Sequence, residues 1–201
     1  SDVDGTLMDH FYDLTPARET ITWLQRIGIP VILCTSKTKS EVKIIRDDLN
    51  LKDPYIVENG GAIYGEYSDG KEWKIILGKS YNILEKILNN LSDNINFKLR
   101  PLNTLSDDEA TNLTGLQGDS LNLMRDRHWS MPFLNPPDTF DEDLKRLCEI
   151  YDVDIFRGNR MSHLLSKSSN KGIAIQTLLN KNNNLNVQII GLGDSPNDLP
   201  L

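Results

Sequence analysis

The sequence predicts an α/β fold, a doubly wound, Rossmann-like parallel-sheet core that carries an inserted α+β domain. Residues 15–61 alternate helical and strand patterns, and residues 171–198 return to that alternation. Between them, helices are grouped with extended segments, the pattern of a separate α+β unit. The apolar run Ile29–Thr35 is nearly continuous, as in strands buried on both faces of a parallel sheet. The expected boundaries are 1–78 for the first part of the core, 79–167 for the insertion and 168–201 for the second part of the core.

Taken in order, Thr15 reads as an N-cap with Pro16 in the first helical position, and Ile21, Leu24 and Ile27 share one face before Gly28 stops the helix. Ile29–Thr35 follows as a strand. Thr38 and Glu41 have the spacing of a capping box, opening a helix with Val42, Ile45 and Leu49 inward. Tyr55-Ile56-Val57 is the next strand, closed by the turn Glu58-Asn59-Gly60-Gly61. Such alternation implies right-handed crossovers.

The insertion opens with an amphipathic helix over Ser80–Leu91. Phe97–Leu99 is expected to be extended, and Ser106 with Glu109 opens a short helix. Arg125–Pro137 reads as a polar, proline-bearing loop, Asp141–Tyr151 as a helix, and Val153–Arg157 and Arg160–Leu165 as extended segments. A helix over about Lys171–Leu179, a solvated loop around Asn182–Asn184 and a strand over Val187–Gly191 complete the chain. That last strand delivers Gly193-Asp194-Ser195-Pro196-Asn197-Asp198 to its carboxyl end, where open α/β sheets bind ligands. The chain opens on Ser1-Asp2 with no strand before it and stops three residues after Asp198, so a partial sequence is expected.

Composition narrows the classes. Among 201 residues, 22 Lys and Arg stand against 29 Asp and Glu, a net charge of −7 that disfavours nucleic-acid and anionic-membrane binding. No apolar run approaches the ~20 residues of a membrane span, and no charged-then-apolar leader opens the chain. Cys34 and Cys148 cannot build a disulfide framework and read as small core residues. A cytoplasmic protein is expected.

Chemistry concentrates in four places. Asp2-Val3-Asp4-Gly5-Thr6 projects two carboxylates to one side of an extended backbone. A calcium loop would need Gly at its sixth position and Glu at its twelfth; Leu7 and Asp13 stand there, which excludes it. Thr35 ends an apolar strand, Lys171 opens a helix, and Asp194, Asn197 and Asp198 follow a strand ending in Gly191-Leu192-Gly193. A carboxylate nucleophile, a second carboxyl acid, a hydroxyl, a lysine and carboxylates for a divalent cation are the parts of phosphoryl transfer.

These four motifs resemble those of the haloacid dehalogenase superfamily. The resemblance implies that Asp2 is the nucleophile and Asp4 the general acid/base. It further implies that Asp2, the Asp4 backbone carbonyl and Asp194 bind Mg²⁺, that Thr35, Lys171 and Asn197 hold phosphate, and that Asp198 orients the metal's water shell or Lys171. Thr35-Ser36-Lys37-Thr38, Glu58-Asn59-Gly60-Gly61, Leu113-Thr114-Gly115-Leu116, Arg127 with Pro132-Phe133, and Asn159-Arg160-Met161-Ser162-His163-Leu164 are similar to motifs of mannosyl-3-phosphoglycerate phosphatases. That likeness implies a cap domain over the active site and a substrate with a phosphate, a carboxylate and a sugar, giving the compatible solute mannosylglycerate. Met131 departs from it, standing where an acidic residue usually precedes the cap proline.

A carboxylate calls for a guanidinium fork, so Arg125, Arg127 and Arg160 are candidates, with Lys37, His128, Trp129 and His163 beside them for the rest of the substrate. The expected activity is hydrolysis of a phosphate monoester. Glucosyl-3-phosphoglycerate or a general sugar phosphate remain alternative substrates, a phosphomutase an alternative reaction, and a binding or regulatory module an alternative class. No nucleic acid or membrane partner is expected.

Overall fold

A computed structural model describes residues 1–9, 12–181 and 187–201. In chain order the first elements are α1 (Thr15–Arg26), α2 (Lys39–Asp48), β1 (Tyr55–Val57), β2 (Ala62–Glu66), β3 (Glu72–Ile76), α3 (Tyr81–Ile95) and α4 (Asp107–Thr114). They are followed by α5 (Asp119–Arg125), β4 (Met131–Phe133), α6 (Asp141–Tyr151), β5 (Val153–Arg157), β6 (Ser162–Ser166) and α7 (Lys171–Lys181). The chain divides into two compact units, Ser1–Leu77 with Ser169–Leu201, and Gly78–Ser168.

The first unit is built around short segments paired through backbone hydrogen bonds. The Cys34 N–H donates to the Ser1 carbonyl and the Ser1 amino group to the Ile32 carbonyl, both at 2.8 Å. On the other side the Thr35 N–H donates to Ile56 O at 3.1 Å and the Ile56 N–H to Leu33 O at 2.8 Å, with Cys34 and Ile56 in parallel register. β2 then adds antiparallel to β1 and β3 antiparallel to β2, Ile56 facing Ile63 and Ile63 facing Ile75. Cys34, Ile56 and Ile63 pack with Ala174 and Leu178 of α7 in one apolar cluster. The α/β core is therefore present, extended by a hairpin that the strand and helix patterns left unread.

Three local expectations are corrected. Leu14, not Thr15, is the N-cap of α1, and the Thr15 N–H is met by Asp13 Oδ1 at 2.9 Å because no hydroxyl reaches back. Ile27 falls beyond the helix and is 50% exposed, whereas Ile21 is buried. The expected strand over Val187–Gly191 does not form and the stretch is exposed; Leu192 O accepts from the Asp2 N–H at 2.8 Å, the one backbone bond joining this stretch to the segments above among the described residues. Ile189 is about half-exposed and Ile190 mostly exposed. The Asn182–Asn184 loop lies outside the described residues.

In the second unit β6 is central, with β4 and β5 antiparallel on either side. Leu84, Leu88 and Leu91 of α3 and Leu144 and Leu147 of α6 share a buried cluster with Met131, Phe133, Val153 and Leu164. Here Arg125–Pro137 proves not to be one loop: it contains the end of α5 and all of β4. Pro132 hid that strand, since proline cannot donate to a ladder; it is tolerated because β4 is an edge. Both capping boxes form, Thr38 with Glu41 on α2 and Ser106 with Glu109 on α4.

Candidate active site

The first unit gathers the core residues singled out from the sequence. Asp2 is 5% exposed and Lys171 1% exposed, and Lys171 Nζ donates to Asp2 Oδ1 at 2.6 Å and to Asp198 Oδ1 at 2.5 Å. The other Asp198 oxygen accepts the backbone N–H groups of Ser195 (3.1 Å) and Asp194 (3.2 Å) and the Ser195 hydroxyl at 2.9 Å. Burial alone would push the Lys171 ammonium down, but the Asp2 charge and the two hydrogen bonds outweigh it and hold its pKa above the ordinary lysine value. Burial raises the Asp2 carboxyl despite the pull of Lys171. At Asp198 burial is outweighed by the bond to Lys171, and its pKa is lowered.

Asp4 lies on the other side of Val3, and its carboxylate faces a different cation: Lys37 Nζ is 2.9 Å from Asp4 Oδ1 and 3.7 Å from Glu41 Oε1. Glu41 is itself held by the capping box, accepting from the Thr38 N–H at 2.8 Å. Lys37, expected as a substrate ligand, is thus buried between two acids, whose charges keep its pKa raised against the opposing effect of burial. Thr35 is fully buried, and its hydroxyl oxygen accepts from the Lys37 N–H at 3.2 Å, which leaves its proton for another acceptor. Asn197 Nδ2 donates to Asn59 Oδ1 at 3.0 Å, and the Ser195 hydroxyl donates to Asn197 Oδ1.

Asp2, Asp194 and Asp198 bring carboxylate oxygens within 4.8 Å of one another. All are hard oxygen donors of the kind Mg²⁺ takes, and only Asp2 and Asp198 of the three meet the Lys171 ammonium among the described contacts. Gly5 makes the approach of Asp194 possible. Its φ is +78°, and a Cβ there would lie 2.2 Å from Asp194 Oδ2. The arrangement fits a divalent cation. It shares Asp2 and Asp194 with the set expected from the sequence, adds Asp198, and leaves Asp4 with its backbone carbonyl to offer because its side chain is on Lys37.

The remaining candidates lie in the second unit, each held by that unit. Arg125 donates to Asp107 Oδ1 at 2.5 Å and Leu105 O at 2.9 Å. Arg127 is buried and donates to Met124 O at 3.1 Å and Ser130 Oγ at 3.0 Å. Arg160 is exposed and donates to Thr114 O at 2.8 Å. His163 faces Pro132 and Phe156 across the sheet; burial, then the charge of Arg127, drive its pKa down to about 3. His128 and Trp129 are ring neighbours, with centroids 6.3 Å apart. The sequence reading missed the pairing of Lys37 with Asp4 and the part played by Asn59. The capping-box spacing located Glu41, but nothing local placed Lys37 between acids or brought Asn59 to a residue 138 positions away.

The chain belongs to the haloacid dehalogenase-like hydrolases, whose family profile matches residues 1–201. Among individual proteins it is 31% identical over 218 residues to the glucosyl-3-phosphoglycerate/mannosyl-3-phosphoglycerate phosphatase of Persephonella marina, covering 100% of this chain and 79% of that protein. It is 32% identical over 216 residues to the protein of the same name from Methanococcoides burtonii, with the same coverage. A solved Thermoplasma acidophilum structure superposes with TM-score 0.70 over 99% of this chain and 77% of its own at 22% identity. A haloacid dehalogenase-like hydrolase from B. subtilis gives 0.61 over 90% and 77% at 18% identity. These two share the fold. Among the described residues no helix is long and apolar enough to cross a membrane.

Proposed function

We propose that this chain is a Mg²⁺-dependent phosphatase that hydrolyses a glycosyl-3-phosphoglycerate through an aspartyl-phosphate on Asp2. The observation that carries the reading is the buried Lys171 joined at once to Asp2 and Asp198, with Asp194 beside them. The names of the two curated relatives support the substrate class.

The roles follow from the contacts. Lys171 holds Asp2 Oδ1, so Oδ2 is the oxygen that attacks phosphorus, and the ester oxygen leaves on the opposite side. Asp2, Asp194 and the Asp4 carbonyl would hold the cation, which when bound would neutralise charge on the phosphoryl oxygens. Thr35 Oγ1 donates to one phosphoryl oxygen and the free Asn197 N–H to another. Asp4 gives its proton to the departing alcohol and takes one from the water that then attacks the acyl-phosphate, a role worth about 10²–10⁴-fold. Lys37 keeps Asp4 in place during both steps. Asp198 fixes Lys171. In the second unit Arg160, which is exposed and donates to Thr114 O, is the guanidinium we assign to the glycerate carboxylate. We assign the core roles to 1–78 and 168–201 and a substrate cap to 79–167.

The test is phosphate release from mannosyl-3-phosphoglycerate, glucosyl-3-phosphoglycerate and glycerol 3-phosphate, with and without EDTA. The expected outcome is turnover of a glycosyl ester that chelation abolishes and Mg²⁺ restores, and none with Asp2→Asn. Turnover indifferent to EDTA would remove the metal role, and equal use of all three esters would favour the general sugar-phosphate reading.

A further inference from the structure

The turn after β1 is sterically expensive, and its three residues touch three different parts of the candidate site. Glu58, Asn59 and Gly60 have successive φ values of 50°, 57° and 92°, a left-handed run that side chains other than glycine rarely adopt. Glu58 and Asn59 are buried. The Glu58 N–H donates to Lys37 O and the Asn59 N–H to Thr35 O, both at 2.9 Å. Gly60 lies on the residue before Lys171, since a Cβ on it would stand 2.3 Å from Asn170 O. The Asn59 side chain accepts from Asn197 Nδ2 at 3.0 Å, across 138 residues of sequence.

Asparagine is a tolerated residue for this backbone, so a turn alone accounts for its presence. It does not account for the bond to Asn197. The Asn197 amide has one oxygen and two N–H groups. The Ser195 hydroxyl, whose single proton is shared with Asp198 Oδ2, lies on the oxygen, and Asn59 accepts one N–H, which leaves a single N–H in a set direction. We infer that Asn59 is a positioning residue that aims the remaining Asn197 N–H at the phosphoryl group. The inference rests on the reading of Asn197 as a phosphate ligand. It adds that the left-handed turn ties that ligand to Thr35 and to the start of α7.

Glycine at position 59 separates the turn from the side chain, because it keeps the left-handed backbone and deletes the acceptor. The experiment measures inorganic phosphate binding in Mg²⁺ buffer, together with thermal unfolding, for the parent, Asn59→Gly, Asn197→Ala and the double variant. Expected are an unchanged Tm for Asn59→Gly, phosphate binding weakened about tenfold in each single variant, and a double variant no weaker than Asn197→Ala. Parental binding by Asn59→Gly beside a weakened Asn197→Ala would overturn the inference alone, as would losses that multiply in the double variant. Parental binding by Asn197→Ala would overturn the phosphate reading of Asn197 and this role with it. A second measurement does not depend on how Asn59→Gly folds. In the parent, the Asn197 side-chain amide, assigned by its disappearance in Asn197→Ala, should show two resolved proton signals. One of them should move on adding phosphate; equal movement of both, or of neither, contradicts the proposal.

Discussion

Lys171 is almost wholly buried, and a buried ammonium is tolerable when carboxylates meet it as Asp2 and Asp198 do, at 2.6 and 2.5 Å. The same arrangement makes the site sensitive to small changes in its neighbours. Gly5 is the sharpest case, because a methyl group there would sit on Asp194 Oδ2 in a backbone conformation that already strains any other residue. Gly5→Ala should therefore displace Asp194 and weaken Mg²⁺ affinity at least tenfold, read as the Mg²⁺ concentration giving half-maximal phosphate release. An unchanged Mg²⁺ requirement would remove Asp194 from the cation site. Asp2 and Asp4 stood out in the sequence because two acids one residue apart share a side of an extended chain. That each faces its own lysine, Asp2 with Lys171 and Asp4 with Lys37, did not.

Elements of the second unit owe their stability to different sources. α4 has a capping box and buries Ala110 among Leu102, Leu105 and Leu121, whereas β6 is central and buries Leu164 against α3 and α6. His163, next to Leu164, has its Nδ1 buried with no hydrogen-bond partner, and its pKa is lowered from 6.5 to about 3. The unfolded chain thus binds this proton first as pH falls. The contribution of neutral His163 to stability is whole above about pH 6.5 and is lost progressively toward pH 3. Denaturant midpoints between pH 7 and 4 should fall more steeply for the parent than for His163→Gln; parallel slopes would contradict the assignment. The helices α2, α3 and α6 were legible because apolar residues recur at helical spacing. β4 was not, because three residues around a proline carry no period.

Across the whole molecule, the two units bury separate apolar clusters, one around Ile56, Ile63 and Leu178 and the other around Leu88, Phe133 and Leu164. Deleting the side chain of Leu164, which is fully buried, should cost about 2–5 kcal/mol, and Ile63→Ala a similar amount in the other cluster. Because no buried residue belongs to both clusters, the two losses should add to within about 0.5 kcal/mol in urea unfolding. A large coupling between them would mean that the clusters are not independent.

By itself the sequence determined the α/β class, the helices other than α5 and the identity of Asp2, Asp4, Thr35, Lys171 and Asp194 as the residues worth watching. These are carried by short-range regularities: apolar period, capping spacing, and acids or glycines at the ends of apolar runs. Only the tertiary structure decided which charges face each other, that Lys37 stands with Asp4 and Glu41, that Asp198 shares Lys171 with Asp2, and that Asn59 meets Asn197. The reason is physical. A charge or an amide finds its partner by distance in space, and chain folding brings together residues whose separation in sequence holds no trace of that distance.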